Sequence, residues 1–194
     1  MHTNKTILLV CIGVMVLAVS AGVLAQKDKK MDMPDKLMQE MNMSMENMAK
    51  VMLDMKMEDR PKYMMKVQKE AVERGQKLFN NAKLGRAGRD CSSCHPGGGT
   101  TGGEAEVPMK GRFPMNPKLP IPTLVGAASS FPKYKVPNDG VITLEQMNNN
   151  CIKMFMMGDG LDLMSEDARS LAAYVSSLSE GETYEAGKMQ MMMK

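Results

Sequence analysis

The strongest periodic pattern in the chain is a stripe of methionines in a charged segment, residues 27–58. Six methionines recur at alternating spacings of three and four residues: Met38, Met41, Met45, Met48, Met52 and Met55. This is the heptad spacing of an amphipathic helix, and Lys, Glu, Asp and Asn occupy its other faces. Arg60-Pro61 interrupts the pattern. We therefore predict a Met-rich amphipathic helical segment over residues 26–60.

Three more helices follow from apolar spacing and terminal residues. Proline suits a first helical position, so the second helix begins at Pro61 and runs to about Lys83, with Val67, Ala71, Leu78 and Phe79 facing inward. A third helix is capped by Thr143 and runs to about Met157. The last helix lies between a Ser165 cap and Gly181, and its apolar face is formed by Leu171, Tyr174, Val175 and Leu178.

The two ends of the chain have different characters. Residues 1–25 have a weakly positive start, an apolar stretch and small residues before Gln26, which is typical of a secretory signal. The apolar stretch is short for a membrane span, so we expect cleavage and no membrane attachment afterwards. Residues 182–194 are predicted to be a flexible Met-rich tail. A bacterial protein with such a signal would be periplasmic or extracellular.

Composition and charge narrow the function. Only 4% of residues are aromatic and there is no Trp, so large rings contribute little to a core. The formal charge of +3 is too small to indicate a nucleic-acid surface, and we expect no nucleic-acid partner. Removal of the signal would leave three cysteines and one histidine, His95. The odd cysteine count calls for an explanation in an exported protein.

The motif Cys91-Ser92-Ser93-Cys94-His95 carries the clearest chemistry in the sequence. Two thiols at this spacing reach the two vinyl groups of one haem, and the next residue supplies an imidazole to the iron. A structural zinc site would need a second Cys or His pair, which the mature chain lacks. We therefore predict one covalent haem c, held by Cys91, Cys94 and His95. The Gly- and Pro-rich residues 96–140 are then predicted to wrap it as a long ordered loop.

The distal iron ligand remains open between several side chains. With His95 used on the proximal side, the mature chain has no second histidine for the other side. Cys151 is one candidate, although a free cysteine is also often a small buried hydrophobe. Met156 is its main rival, because His/Met ligation is common in electron carriers. Further candidates are Lys153, Met154, Met157 and Met164.

The methionine stripe also has more than one interpretation. Thioethers bind Cu(I), but Met is also a good helix former that packs on irregular apolar surfaces. We favour packing, either on the rest of the chain or in a homo-oligomer. Three heptads are too short for a stable free coiled coil. Sedimentation of the protein with and without residues 26–60 measures this contribution.

The segment from Val72 to Gly181 resembles class I cytochrome c domains. Gly75 and Phe79 match the first helix of that family, and residues 171–178 match its last helix. Pro122-Thr123-Leu124-Val125-Gly126 is similar to the loop whose proline carbonyl accepts the proximal imidazole N–H. The resemblance implies that Pro122 orients His95. The predicted fold is all-α, with a monohaem cytochrome c domain over residues 61–181.

A narrower resemblance concerns residues 131–158. Phe131-Pro132-Lys133-Tyr134, Asn150-Cys151-Ile152 and Met156-Met157-Gly158 are similar to thiosulfate dehydrogenases and the cytochrome subunit of the bacterial sulfur-oxidising system. In those proteins the cysteine matching Cys151 binds the haem iron. Their Arg-Ile-Asn before the cysteine is replaced here by Met147-Asn148-Asn149-Asn150. The loss of Arg weakens the case for binding an anionic substrate.

Two functions follow as expectations. The first is an electron carrier that transfers single electrons between redox protein partners, with surface lysines guiding the docking. The second is a haem enzyme, or enzyme subunit, oxidising thiosulfate or a related inorganic sulfur compound. Its substrate-binding cations would come from Lys110, Arg112, Lys133 and Lys135, although we expect these residues to be solvated or to lie near the haem propionates. We expect the carrier, because the enzyme needs a pocket and clamps that the sequence only suggests.

Overall fold

The computed structural model describes residues 34–106 and 118–188. The predicted signal, residues 189–194 of the tail, and the candidate cations Lys110 and Arg112 lie outside these residues. The described residues form two compact units, one ending at Met57 and the other beginning at Glu58. Each unit is described by itself below. None of the described helices is long and apolar enough to cross a membrane.

In its described residues, the first unit consists of one helix. Helix α1 spans Asp35–Ala49 and continues into a π-helical turn over Lys50–Asp54. Its methionines lie on the surface, and five members of the stripe are between 45% and 58% exposed: Met38, Met41, Met45, Met48 and Met52. This exposure leaves an apolar stripe available for packing. The pairing of that stripe with another chain stays a prediction.

The second unit is built on the crossing of two helices. Helix α2 spans Arg60–Phe79 and has a proline in its first turn. Its partner near the end of the unit is helix α4, which spans Glu166–Ser177 and is capped by Ser165. The two helices make the most extensive packing in the unit, and Arg74 pairs with Glu166 and Asp167 across their contact.

Helix α3 spans Leu144–Met154 and completes the helical core. The Thr143 side chain accepts a hydrogen bond from Gln146 N–H, and the Gln146 side chain accepts one from Thr143 N–H. This reciprocal capping box fixes where the helix begins. The core cluster combines residues from α2, α3, α4 and the turn after α3: Phe79, Ile152, Met156, Leu171 and Tyr174. The rings of Phe79 and Tyr174 lie 5.2 Å apart, centroid to centroid.

The expectation of an all-α domain is only partly right, because two short antiparallel hairpins accompany the helices. Strand β1, Gly103–Glu106, pairs with β2, Lys118–Ile121, and strand β3, Lys133–Lys135, pairs with β4, Gly140–Ile142. Both hairpins involve the Gly- and Pro-rich segment that we predicted to be mostly irregular. Strands of three or four residues are too short to show a clear alternating pattern in the sequence.

Helix ends and one inward position also differ from the predictions. Helix α2 ends at Phe79 rather than near Lys83, because Asn80 turns back to bond Gln76 O and Asn81 caps a separate turn over Ala82–Leu84. Helix α3 ends at Met154, shortly before Met157 adopts a positive φ of 58°. Val67 was predicted to face inward but is 45% exposed.

Candidate haem site

The motif residues lie on one tight turn that begins at an acidic cap. Cys91–Ser93 form a 3-10 turn whose start is held by Asp90, which accepts hydrogen bonds from Ser93 N, Ser92 Oγ and Ser93 Oγ at 2.7–2.8 Å. Burial raises the pKa of Asp90, but the bonds from Ser93 and Ser92 outweigh it, so this pKa is lowered. His95 N–H then donates to Cys91 O at 2.9 Å. The turn thereby fixes both thiols and the imidazole on one short segment.

The two motif cysteines are free thiols. Neither forms a disulfide. Burial, followed by the neighbouring Cys151 thiol, raises the pKa of Cys91 to about 12. Burial also raises the pKa of Cys94. Both side chains are therefore neutral thiols at neutral pH, and Cys91 packs against the core cluster.

The imidazole of His95 is oriented by a backbone carbonyl. His95 Nδ1 lies 3.0 Å from Pro122 O. A carbonyl oxygen only accepts, so Nδ1 carries the proton and Nε2 keeps a free lone pair for a metal. Burial lowers the pKa of His95, while the Pro122 bond raises it. The imidazole is accordingly in the neutral form that binds iron.

The loop that carries Pro122 is itself anchored to the segment after the motif. Leu124 N–H donates to Gly99 O at 2.8 Å, and Thr123 Oγ donates to Thr100 O at 2.9 Å. Tyr174 Oη of helix α4 donates to Gly98 O at 2.8 Å. These bonds fix the position of the Pro122 carbonyl and so the plane of the His95 ring.

Cys151 lies on helix α3 beside the motif cysteines. Burial raises the pKa of Cys151 to about 11, the Cys94 thiol raises it further, and the Lys135 ammonium lowers it. After burial, Cys151 is the largest influence on the pKa of Cys91. These electrostatic effects indicate that the three cysteines beyond residue 25 lie close to one another.

Met156 has a different environment. Its side chain is only 3% exposed and is enclosed by Phe79, Ile152, Leu171 and Tyr174. Its carbonyl accepts a hydrogen bond from Ala87 N–H at 3.1 Å, which fixes the backbone as well. A ligand role would require Met156 to leave this cluster. Among the remaining candidates, Met157 and Met164 are 54% and 77% exposed, Lys153 is exposed, and Met154 is half-buried.

Three polar residues near the site carried no clear sequence signal. Ser130 is buried and receives a hydrogen bond from Lys133 Nζ at 2.7 Å. Asn149 joins α3 to the following loop through two bonds with Leu161. Asn148, one turn before Cys151, has a buried Nδ2 with no hydrogen-bond partner among the described residues. Burial and missing partners are properties of the tertiary structure that the sequence pattern does not reveal.

This donor set fits a covalent haem. Cys91 and Cys94 offer two thiols on one turn, His95 Nε2 is left free by the Pro122 bond, and the Cys151 thiol, a candidate soft ligand, lies nearby. The buried Nδ2 of Asn148 provides a donor that still needs an acceptor in this region. The arrangement matches the ligands that the sequence motif predicts.

Comparisons with known proteins agree with this chemistry. Residues 120–184 match the family model of the SoxA/TsdA cytochrome c domain, a stretch that includes Pro122, Cys151 and Met156. Two curated relatives are each described as an L-cysteine S-thiosulfotransferase subunit SoxA from Hydrogenobacter thermophilus. Each is 30% identical over 110 residues, covering 57% of this chain and 34% or 33% of the relative. The chain thus aligns with about a third of the length of these relatives.

The fold, the motif and these matches define the class of protein: a c-type cytochrome with covalently bound haem c. More narrowly, the chain is a class I c-type cytochrome related to the haem domains of sulfur oxidation.

Proposed function

We propose that this chain is an exported monohaem electron carrier that passes single electrons between redox protein partners. The observation that carries the proposal is the His95–Pro122 contact of 3.0 Å beside the Cys91/Cys94 turn, which prepares one imidazole for one iron. Haem, when bound, supplies one-electron exchange. The protein's part is to attach it through Cys91 and Cys94, ligate it through His95 and keep the imidazole plane fixed through Pro122.

Cys151 is our proposed distal ligand, in preference to Met156. The Cys151 thiol raises the pKa of Cys91, and Cys94 raises the pKa of Cys151, whereas Met156 is enclosed by apolar side chains. Coordination to iron would displace the proton that burial otherwise keeps on this thiol. A thiolate donates charge and stabilises ferric iron, so a His/Cys pair gives a lower reduction potential than a His/Met pair.

We expect Cys151→Ala to change the low-spin ferric EPR signal, and Met156→Ala to leave that signal unchanged while lowering stability. Removal of the thiol takes away an iron ligand, whereas truncation of a buried Met leaves a cavity worth about 2–5 kcal/mol. Low-temperature EPR and thermal unfolding of the haem-loaded protein measure the two effects. Met157→Ala, at an exposed position, is the matched control. A signal that changes only in Met156→Ala would assign a His/Met pair instead.

The second candidate is the oxidation of an inorganic sulfur compound. The SoxA/TsdA match and the two thiosulfotransferase relatives favour it, as does the Lys135 ammonium near Cys151. The replacement of the family arginine by Met147 and the single haem motif argue against it. We rank it below the carrier, because positioned cations around Cys151 are few in the described part of the chain.

Addition of thiosulfate to the ferric protein separates the two candidates. For a carrier we expect the ferric absorption spectrum to stay unchanged without oxygen, because a carrier does not oxidise thiosulfate. Ascorbate or dithionite should still reduce the same sample, which shows that the haem is redox-active. Reduction by thiosulfate that disappears in Cys151→Ala would overturn this ranking and make the chain a sulfur-oxidising subunit.

Location and assembly remain part of the proposal. The signal-like residues 1–25 and the need to attach haem c outside the cytoplasm support a periplasmic or extracellular protein. The exposed methionine stripe of α1 offers a surface for a second copy of the chain or for a redox partner.

A further inference from the structure

Lys133 is a buried cation with only part of its hydrogen-bonding capacity used. Lys133 is only 5% exposed, and its Nζ donates a hydrogen bond to Ser130 Oγ at 2.7 Å. Ser130 Oγ in turn donates to Ala127 O at 2.8 Å, which turns its lone pairs toward the lysine. An ammonium has three N–H donors, so this bond leaves two of them for another acceptor.

The carboxylates of Asp139 and Glu185 interact with side chains other than Lys133. Asp139, at the turn between β3 and β4, accepts a hydrogen bond from Tyr134 Oη at 2.9 Å. Glu185, whose N–H donates to Ser129 O, pairs with Lys188 at 2.8 Å. Among the described residues, Lys133 has no carboxylate within 4.0 Å. A buried charge without a counter-charge is unfavourable, so an anion at this position would stabilise the ammonium form of Lys133.

A second cation increases that need. Lys133 Nζ lies 4.6 Å from the centroid of the Phe131 ring, and Lys135 Nζ lies 5.8 Å from the same centroid. The ring face offers partial stabilisation to both charges. Burial, together with the repulsion from Lys135, lowers the pKa of Lys133 to about 8. Without an anion the two ammonium groups destabilise each other.

The lysine pair adjoins the haem site. Lys135 lowers the pKa of the Cys151 thiol and Cys94 raises it, while Cys151 raises the pKa of Cys91. The β3–β4 hairpin that carries both lysines leads directly into helix α3, where Cys151 lies. The group attached to Cys91 and Cys94 carries two carboxylates of its own, the haem propionates.

We propose that Lys133, held by Ser130, forms a buried ion pair with a haem propionate, and that Lys135 supports the same carboxylate. In this role Lys133 is a positioning residue that tunes the haem and takes no part in binding a substrate. A cation beside the propionate offsets its negative charge, which otherwise favours ferric iron. The ion pair therefore raises the reduction potential. The inference requires the bound haem and holds for either candidate function.

The test is spectroelectrochemistry of the haem-loaded protein with Lys133→Met. Met keeps the length of the side chain and removes the charge, so we expect the midpoint potential to fall. The expected change in the one-electron equilibrium constant is about three- to tenfold, equal to about 28–59 mV. The midpoint should also become pH-dependent between about pH 5 and 7, because a propionate without its cation titrates at higher pH.

Two further variants serve as controls for this test. Lys133→Arg retains the charge and should restore a pH-independent midpoint close to that of the wild type. Lys62→Met removes an exposed charge on α2, about 25 Å along the helix from Phe79, and should change nothing. A Lys133→Met midpoint equal to that of Lys62→Met would overturn the proposal. A wild-type midpoint that depends on sulfate concentration would also overturn it, because Lys133 would then bind an external anion.

Discussion

A protein with both Cys91 and Cys94 replaced by alanine should be isolated without covalently attached haem. The two thiols are the only motif groups that can form thioether bonds to the haem vinyl groups, and they lie on one capped turn next to the imidazole. Loss of both bonds leaves only ligation by His95 and the distal residue, which acid-acetone extraction breaks. The expected effect is a complete loss of the haem absorbance that stays with the protein after extraction.

The matched control for this prediction is Cys151→Ala. Cys151 lies near the same two thiols but is a proposed iron ligand and not an attachment point. We expect this variant to keep its haem through extraction, with an altered spectrum before it. Covalent haem that survives in the double variant, or that is lost in Cys151→Ala, would show that the attachment residues are assigned wrongly.

The helices and the attachment motif were accessible from the sequence because their signals are local. Pro61 marks the first turn of α2, Thr143 and Gln146 form the capping box of α3, and Ser165 caps α4. Each of these signals involves residues within one turn of each other, so it does not depend on the rest of the fold. The spacing of Cys91, Cys94 and His95 is local in the same sense.

Features that depend on distant contacts were not accessible in this way. The hairpin strands are set by pairing between residues 5 to 18 positions apart, and their three or four positions contain no usable period. The burial of Lys133 runs against the general preference of lysine for solvent, so the sequence pattern alone does not predict it. The link between His95 and Pro122 came only from a family resemblance, because 27 residues separate them.

Replacement of Gly75 by alanine should destabilise the second unit by about 2–3 kcal/mol, although alanine is the better helix former by about 1 kcal/mol. Gly75 is the closest point between α2 and α4. A Cβ there would lie 2.7 Å from both the Ser170 carbonyl carbon and Tyr174 Cβ, and closer still to Ser170 O. Two of these atoms belong to the backbone of α4, so the helices must separate to make room.

Separation of the helices would weaken contacts on both sides of Gly75. Arg74, the preceding residue, forms an ion pair with Asp167 in which Nε and Oδ1 are 3.0 Å apart. The contact between the Phe79 and Tyr174 rings lies one turn further along. We expect the thermal midpoint of the haem-loaded protein to fall by roughly 6–12 °C. Gly140→Ala is the control, because its Cβ would meet only Asn138 O, at an ordinary 3.7 Å. Equal thermal midpoints for the two variants would mean that the crossing of α2 and α4 accommodates a methyl group at residue 75.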